Sequence, residues 1–424
     1  MRLAGELLAV EGGPPAVSLP PPHLEWPVID RDTYDAVERQ LGESISIYDR
    51  SGVFARVEDR LQQAVGVRHA LLTNSGTSAL HSMYVGCGLG PGDEVVCPAY
   101  TFFATATPLF FTGAVPVLVD CGDDGNVDPD AVEAAIGPRT AAVVVTHMWG
   151  IPCDVGRLRA TADRHCLALL EDTSHAFGAT VGSQSVGSFG RAAAQSLQGQ
   201  KPLTGGEGGV LLTNDPEIHH RGLALGHYNK RCKNEIPPED PLSEYAATGM
   251  GLKLRAHPLA AAIVEQQLEV FERRLAGRGR IAARLVAGLR DLPGVHPVVP
   301  ATGSRSSWYA LIVVLDRAAL PDGVGAAEVH DALLAEGAEE VDRPGSTAPL
   351  ATLPVFRRPG ALFPAYKDVS MLGPEAFPKA TAFHCSILKL PVWHDERHED
   401  LVDQYLNAFH KVWGRLGALR RSPV

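Results

Sequence analysis

Ser196-Leu197-Gln198-Gly199-Gln200-Lys201-Pro202-Leu203-Thr204-Gly205-Gly206-Glu207-Gly208-Gly209 sets one lysine in a polar, glycine-rich stretch, and the apolar run Val210-Leu211-Leu212-Thr213 follows at once. The pattern reads as a loop turning tightly into a β-strand. A lone lysine on a loop is by default a solvated charge. Two upstream segments change its meaning. Asn74-Ser75-Gly76-Thr77-Ser78-Ala79-Leu80 reads as an anion-binding turn entering a helix, and Ala168-Leu169-Leu170-Glu171-Asp172 ends an apolar strand in acids. Lysine, phosphate turn and strand-end carboxylate are the three fixed parts of a pyridoxal phosphate site.

Working outward, short apolar runs alternate with helical segments. Strands are expected at 70–73, 94–97, 115–119, 141–146, 166–170 and 210–213. Helices are expected at 31–41, with Asp32 or Thr33 near the cap, and at 51–65, 78–85, 101–112, 128–136 and 154–165. This alternation predicts an α/β fold with a mostly parallel central sheet covered by helices on both faces. A helix from Pro258 to Arg290 follows, with Gly277 and Gly279 as points where it bends or breaks. Past Pro293-Gly294 come a strand from Trp308 to Leu315 and a helix between Gly325 and Gly337, with Val329, Leu333 and Leu334 on its apolar side. A last helix runs from Glu396 to Leu416. The plan is an N-terminal arm (1–28), a large cofactor-binding domain with its linking helix (29–290) and a small α+β C-terminal domain (291–424).

The 424 residues suit two or three domains, and 45% hydrophobic with 21% charged residues is a globular mix. A net charge of −11 argues against nucleic acid or an acidic membrane as partner. The seven cysteines show no CxxC pairing and read as reduced thiols. No metal-ligand set is read. Met1-Arg2-Leu3-Ala4-Gly5-Glu6 lacks the apolar core of a leader, and Phe102 to Leu118, the nearest candidate span, is short and broken by prolines and a glycine. A cytoplasmic location is the expectation.

Ligands in such sheets bind at the carboxyl ends of the strands, where these segments fall. Gly76, Thr77 and Ser78 would offer N–H groups and hydroxyls to a phosphate, with Ser196 adding another; a plain helix cap is the alternative. Asp172 would keep a pyridine nitrogen protonated, so that the ring accepts electrons; otherwise it is a loop acid. His175 and Phe102 would lie at the ring, or be core residues. Lys201 would hold the cofactor as a Schiff base and then move a proton as general base and acid. Arg255, His257, Tyr228, His384 and Trp393 are further candidates near an acceptor.

With these motifs in this order, the chain resembles the DegT/DnrJ/EryC1/StrS aminotransferases, the sugar and aminocyclitol branch of fold-type I pyridoxal phosphate enzymes. The likeness spans roughly residues 12 to 415. It rests on Asn74–Leu80, Pro98-Ala99-Tyr100-Thr101-Phe102, Glu171-Asp172-Thr173-Ser174-His175-Ala176-Phe177-Gly178-Ala179, and Lys201 ahead of Gly206-Glu207-Gly208-Gly209. The resemblance implies Lys201 as imine lysine and Asp172 on the pyridine nitrogen. It implies Phe102 on the ring, His175 in a place often held by glutamine, and Gly76, Thr77 and Ser196 at the phosphate. It also implies a homodimer with its site at the subunit boundary, and glutamine or glutamate as donor. Two departures stand out. Gln195-Ser196-Leu197 replaces an aromatic-serine-aromatic run, and Lys253 stands where the family has an asparagine that reaches the partner's phosphate; its plain alternative is a surface lysine. They turn the expectation from the usual nucleotide sugar towards a keto-sugar or keto-cyclitol acceptor in secondary metabolism. Lys201 argues against the branch that carries histidine there and dehydrates sugars. The alternatives are a pyridoxal phosphate decarboxylase, eliminase or oxidase on the same scaffold, and a non-catalytic cofactor-binding regulator.

Overall fold

The computed structural model describes residues 6–22 and 26–419; residues 1–5, where the leader reading falls, lie outside the described part. Seven strands make the main sheet: β1 (His69–Thr73), β2 (Glu94–Pro98), β3 (Val115–Val119), β4 (Thr140–Thr146), β5 (Ala168–Asp172), β6 (Ala192–Ser196) and β7 (Gly209–Thr213). In space they run β1-β7-β6-β5-β4-β2-β3. All neighbours are parallel except β7, which is antiparallel to β1 and β6. Successive residues serve opposite faces, as strand periodicity requires. Leu71 and Val144 join the core under one face, whereas Leu72 and Val143 join those under the other. Both faces are covered, which is why the strands read as unbroken apolar runs.

The helix Gly76–Gly86 starts directly after β1 and packs with Tyr84 and Met83 buried beneath the sheet. The helix Arg31–Glu43 is capped by Asp30, not by Asp32 or Thr33. The Asp30 carboxylate accepts from the Thr33 N–H at 2.9 Å and from its hydroxyl at 2.7 Å. The expected helix over 101–112 begins later. Tyr100–Phe102 is a short strand paired with Thr347–Pro349, and the α-helix occupies only Thr107–Thr112, where Pro108 is tolerated in the first turn. Cys166 is not in the strand that follows it; it turns in the left-handed region, and the strand opens at Ala168.

A single helix, Pro258–Leu289, links the two parts of the chain and passes Gly277 and Gly279 without a break. Gly277 is there for space. A Cβ on it would sit 1.9 Å from the His394 carbonyl oxygen, so glycine lets that segment lie against the helix. The C-terminal α+β domain has a small antiparallel sheet of Val295–Pro297, Leu311–Leu315 and Ile387–Leu390. The helices Ala326–Ala335 and Glu399–Trp413 cover it, with Val313, Leu388, Leu333, Tyr405 and Phe409 in one core. Leu334 is exposed rather than on the apolar side. The middle strand starts at Leu311, because Trp308 adopts a positive φ of 51° that no strand accommodates.

The Pro- and Gly-rich start of the chain is bound to this same core. Leu8 and Val17 are buried in it. The fully buried Glu336 carboxylate accepts the N–H groups of Ala9 at 2.8 Å and Ala16 at 3.0 Å, and Lys411 donates to Glu336 at 2.8 Å and to the Pro14 carbonyl at 2.6 Å. All seven cysteines are free. Among the described residues no helix is long and apolar enough to cross a membrane.

Candidate active site

A cavity of about 410 Å³ opens at the carboxyl ends of β1, β4, β5 and β6. It is lined by Gly76, Thr77, Phe102, Asp172, His175, Ser196 and Lys201, seven of the nine residues singled out from the sequence. The other two lie elsewhere. Ser78 is tied into the helix cap: its N–H donates to the Ser75 hydroxyl at 3.1 Å, and its own hydroxyl meets Ser75 at 3.0 Å. Lys253 is exposed, away from this cavity, with its backbone bridged to His227.

Glu171 and Asp172 are adjacent on β5 and therefore face opposite ways. Glu171 is sealed below the sheet, accepting the N–H groups of Gly187 at 2.8 Å and Gly190 at 2.6 Å. Asp172 faces the cavity. One carboxylate oxygen accepts the Ser174 N–H at 3.0 Å, and the other accepts the Thr105 hydroxyl at 2.8 Å. Thr105 in turn belongs to a buried hydroxyl cluster, with Thr101 at 2.9 Å from Thr105 and 3.0 Å from Thr146. The carboxylate thus has one orientation, with hydrogen bonds to spare for a partner in the cavity.

The turn at Gly76 is built on a close approach. A Cβ on Gly76 would fall 2.6 Å from the Ser196 Cβ, so β6 and the helix start can meet only over a glycine. The backbone N–H groups at that helix start point to where Thr77 and Ser196 also face.

Lys201 sits in the β6–β7 loop, which is closed on itself by Leu197 N–H to Gly208 at 2.9 Å and Gly205 N–H to Leu197 at 3.0 Å. Its Nζ lies 4.9 Å from the centroid of the Tyr309 ring. Burial pushes the amine down to about 8, with Lys389 pushing the same way and Asp172 opposing. Tyr309 stacks on the His175 ring at 4.2 Å and 9°. His175 is buried, its carbonyl accepts the Ser307 hydroxyl at 2.6 Å, and its Nδ1 has no partner. Burial, then the nearby Lys201 charge, holds the imidazole well below its usual range, hence neutral.

Thr105, Thr146 and Tyr309 were not found from sequence. Thr146 carried a faint signal, a hydroxyl ending an apolar strand. Tyr309 carried none, since it reaches the site from the far side of the linking helix. Gln198, Gln200, Glu207, Ser346 and Thr347 complete the rim. A second cavity of about 700 Å³ adjoins the first, sharing Gln200 and Tyr309. Trp393 lines it and donates from Nε1 to Glu340 at 2.9 Å. Of the further candidates, Arg255 lies over the rings of Tyr48 at 5.0 Å and Tyr228 at 5.9 Å, His257 caps the linking helix, and His384 packs beside Tyr100.

A mostly parallel sheet flanked by helices, with a smaller C-terminal α+β domain, is the architecture of fold-type I pyridoxal phosphate aminotransferases. The sequence profile of the DegT/DnrJ/EryC1/StrS aminotransferase family matches residues 44–406, and the chain belongs to that family. It is 36% identical over 348 residues to an L-glutamine:2-deoxy-scyllo-inosose aminotransferase of Streptomyces kanamyceticus, covering 79% of this chain and 80% of that protein. A putative L-glutamine:3-amino-2,3-dideoxy-scyllo-inosose aminotransferase of Micromonospora echinospora is 30% identical over 98% of this chain and 99% of its own. Among solved structures, DesI in the presence of its TDP-sugar product aligns with a TM-score of 0.79 at 29% identity, over 96% of each chain.

Proposed function

We propose that this protein is a pyridoxal phosphate-dependent aminotransferase that moves an amino group from glutamine or glutamate to a keto-cyclitol or keto-sugar in secondary metabolism. The observation that carries it is the convergence of Lys201, Asp172 and the Gly76–Ser196 cradle on one cavity, in a member of this family. The residues fit the cofactor. Gly76 opens a helix whose first N–H groups suit a phosphate, Asp172 is oriented with lone pairs to spare, and the buried Nδ1 of His175 lacks a partner among the described residues. Gly76, Thr77 and Ser196 would hold the phosphate, Asp172 the ring nitrogen, His175 and Phe102 the ring, and Lys201 would hold the group covalently. When bound, that group supplies an electron sink for the carbon that loses its proton.

The chain's own part is positioning and proton movement. Thr105 and the Ser174 N–H keep the Asp172 carboxylate in place, so its negative charge is delivered without reorganisation. Lys201, whose amine burial brings down to about 8, would take and return a proton at Nζ close to working pH. The neutral His175 ring is braced by Tyr309 and by Ser307.

The two scyllo-inosose relatives favour a cyclitol acceptor over a nucleotide sugar, and glutamine as donor. A second copy of the chain is proposed to complete the site. Lys253 is exposed and does not line the cavity of its own chain, and it lies in a stretch with exposed Met250 and Leu252. The test is a keto-acceptor panel with amino-labelled glutamine, read by mass. Label in an aminocyclitol supports the reading. Carbon dioxide or ammonia release without label transfer points to the decarboxylase or eliminase, and no reaction with any donor points to a binder.

A further inference from the structure

Two of the buried cations among the described residues have carboxylate partners. Arg231 is bidentate on Glu58 at 2.8 and 3.1 Å, and Lys411 meets Glu336 at 2.8 Å. Two on the linking helix do not: Arg274, which donates to the Gln267 side-chain oxygen, and Arg278. Arg278 is 8% exposed, donates Nη1 to the Trp308 carbonyl at 3.0 Å, and lies 4.8 Å from the Trp26 ring centroid. Among the described residues no carboxylate pairs with it. A guanidinium has five donors, and a carbonyl and a ring face leave several free. Leaving such a charge unpaired in the interior is expensive, and a ligand anion relieves it.

The side chain lines the 700 Å³ cavity, which meets the Lys201 cavity at Tyr309 and Gln200. The acids nearest it in that cavity are otherwise engaged or turned to solvent. Asp342 pairs with Lys389 at 3.3 Å, Glu340 takes the Trp393 indole, and Glu339 is exposed. Their presence makes the cavity a poor host for a multiply charged phosphate, while a single carboxylate suits one forked guanidinium. Burial and the neighbouring Arg274 lower Arg278 to about 10, which still leaves it charged at neutral pH.

We infer that Arg278 is the clamp for the α-carboxylate of the amino donor, seating an amino acid in the second cavity with its amine towards Lys201; this rests on the aminotransferase reading above. It assigns the 700 Å³ cavity to the donor half of the reaction.

The test uses cofactor-loaded protein and follows its absorbance on titration with L-glutamine and, separately, with an amino-polyol that has no carboxylate. For Arg278→Met the half-saturating glutamine concentration is expected to rise about 100-fold, and for Arg278→Lys about tenfold, with the amino-polyol response changed less than about threefold. Equal weakening of both amines, or unchanged glutamine binding, overturns the clamp. Should the variants fold poorly, the wild type still decides. Succinate is expected to compete with glutamine and pyrophosphate not to; competition by pyrophosphate alone overturns the assignment. A wild type that responds to the amino-polyol but to no amino acid overturns the clamp and the choice of donor together, whereas one that responds to no amine overturns the transaminase reading itself.

Discussion

One wall of the cleft is made by the ends of β1, β4, β5 and β6, the other by Tyr309, Arg278, Lys389 and the Ser346–Thr347 segment. The sheet wall holds its groups by backbone. Gly76 exists for a contact with Ser196, and Asp172 is fixed by a backbone N–H and a hydroxyl cluster. The opposite wall holds its groups mainly by ring and ion-pair contacts, with one backbone hydrogen bond, from Arg278 to Trp308. Tyr309 leans on His175, Arg278 on Trp26, and Lys389 on Asp342. The first arrangement is rigid and suits a cofactor that every turnover shares. The second can change residue by residue, as suits the choice of substrate.

The comparison predicts that substitutions on the sheet wall cost chemistry, and those opposite cost selectivity. Lys201→Ala is expected to lower kcat by about 10⁴-fold or more while leaving the circular dichroism spectrum unchanged. A variant turning over at the parent rate would remove the basis for the division. Asp172→Asn comes next, with kcat down about 100- to 1,000-fold, since the hydrogen bonds persist but the charge is gone. Gly76→Ala is expected to weaken cofactor affinity about tenfold or more and to lower stability by about 1–3 kcal/mol, because its Cβ must displace Ser196. Equilibrium binding and a thermal melt check both. Tyr309→Ala is expected to cost about tenfold in kcat/KM and Tyr309→Phe little, if the ring stack on His175 is what matters.

The smallest effect concerns pH. A lysine lowered to about 8 is neutral above that value and charged below it. Cofactor capture by apoprotein, which needs the neutral amine, should therefore rise with pH and level off past 8. Between 8 and the ordinary lysine value the unfolded chain holds the extra proton, so apoprotein stability rises with pH across that window. Lys389→Met removes a nearby cation and should move the midpoint upward.

This division also sets what the sequence discloses. Gly76, Asp172, Ser196 and Lys201 are legible because each follows or ends a local apolar run, and strand ends are where such sheets bind. Tyr309 and Arg278 are brought in by the packing of distant segments. The only local mark near Tyr309 is Trp308, whose left-handed backbone ends the strand expected there. Thr101 and Phe102 fell in a stretch read as helix because their strand partner, Thr347–Pro349, lies far along the chain. Gly277 was read through propensity, when its role is the room it leaves for His394.

The Glu336–Lys411 pair, with the N–H groups of Ala9 and Ala16 on the same carboxylate, ties residues 8–17 to helices more than three hundred positions further along the chain. During synthesis residues 8–17 must wait for more than three hundred others before Glu336 and Lys411 leave the ribosome. A substitution in residues 8–17 is therefore expected to act on the smaller domain, whose core Leu8 and Val17 join, and not on the seven-stranded sheet.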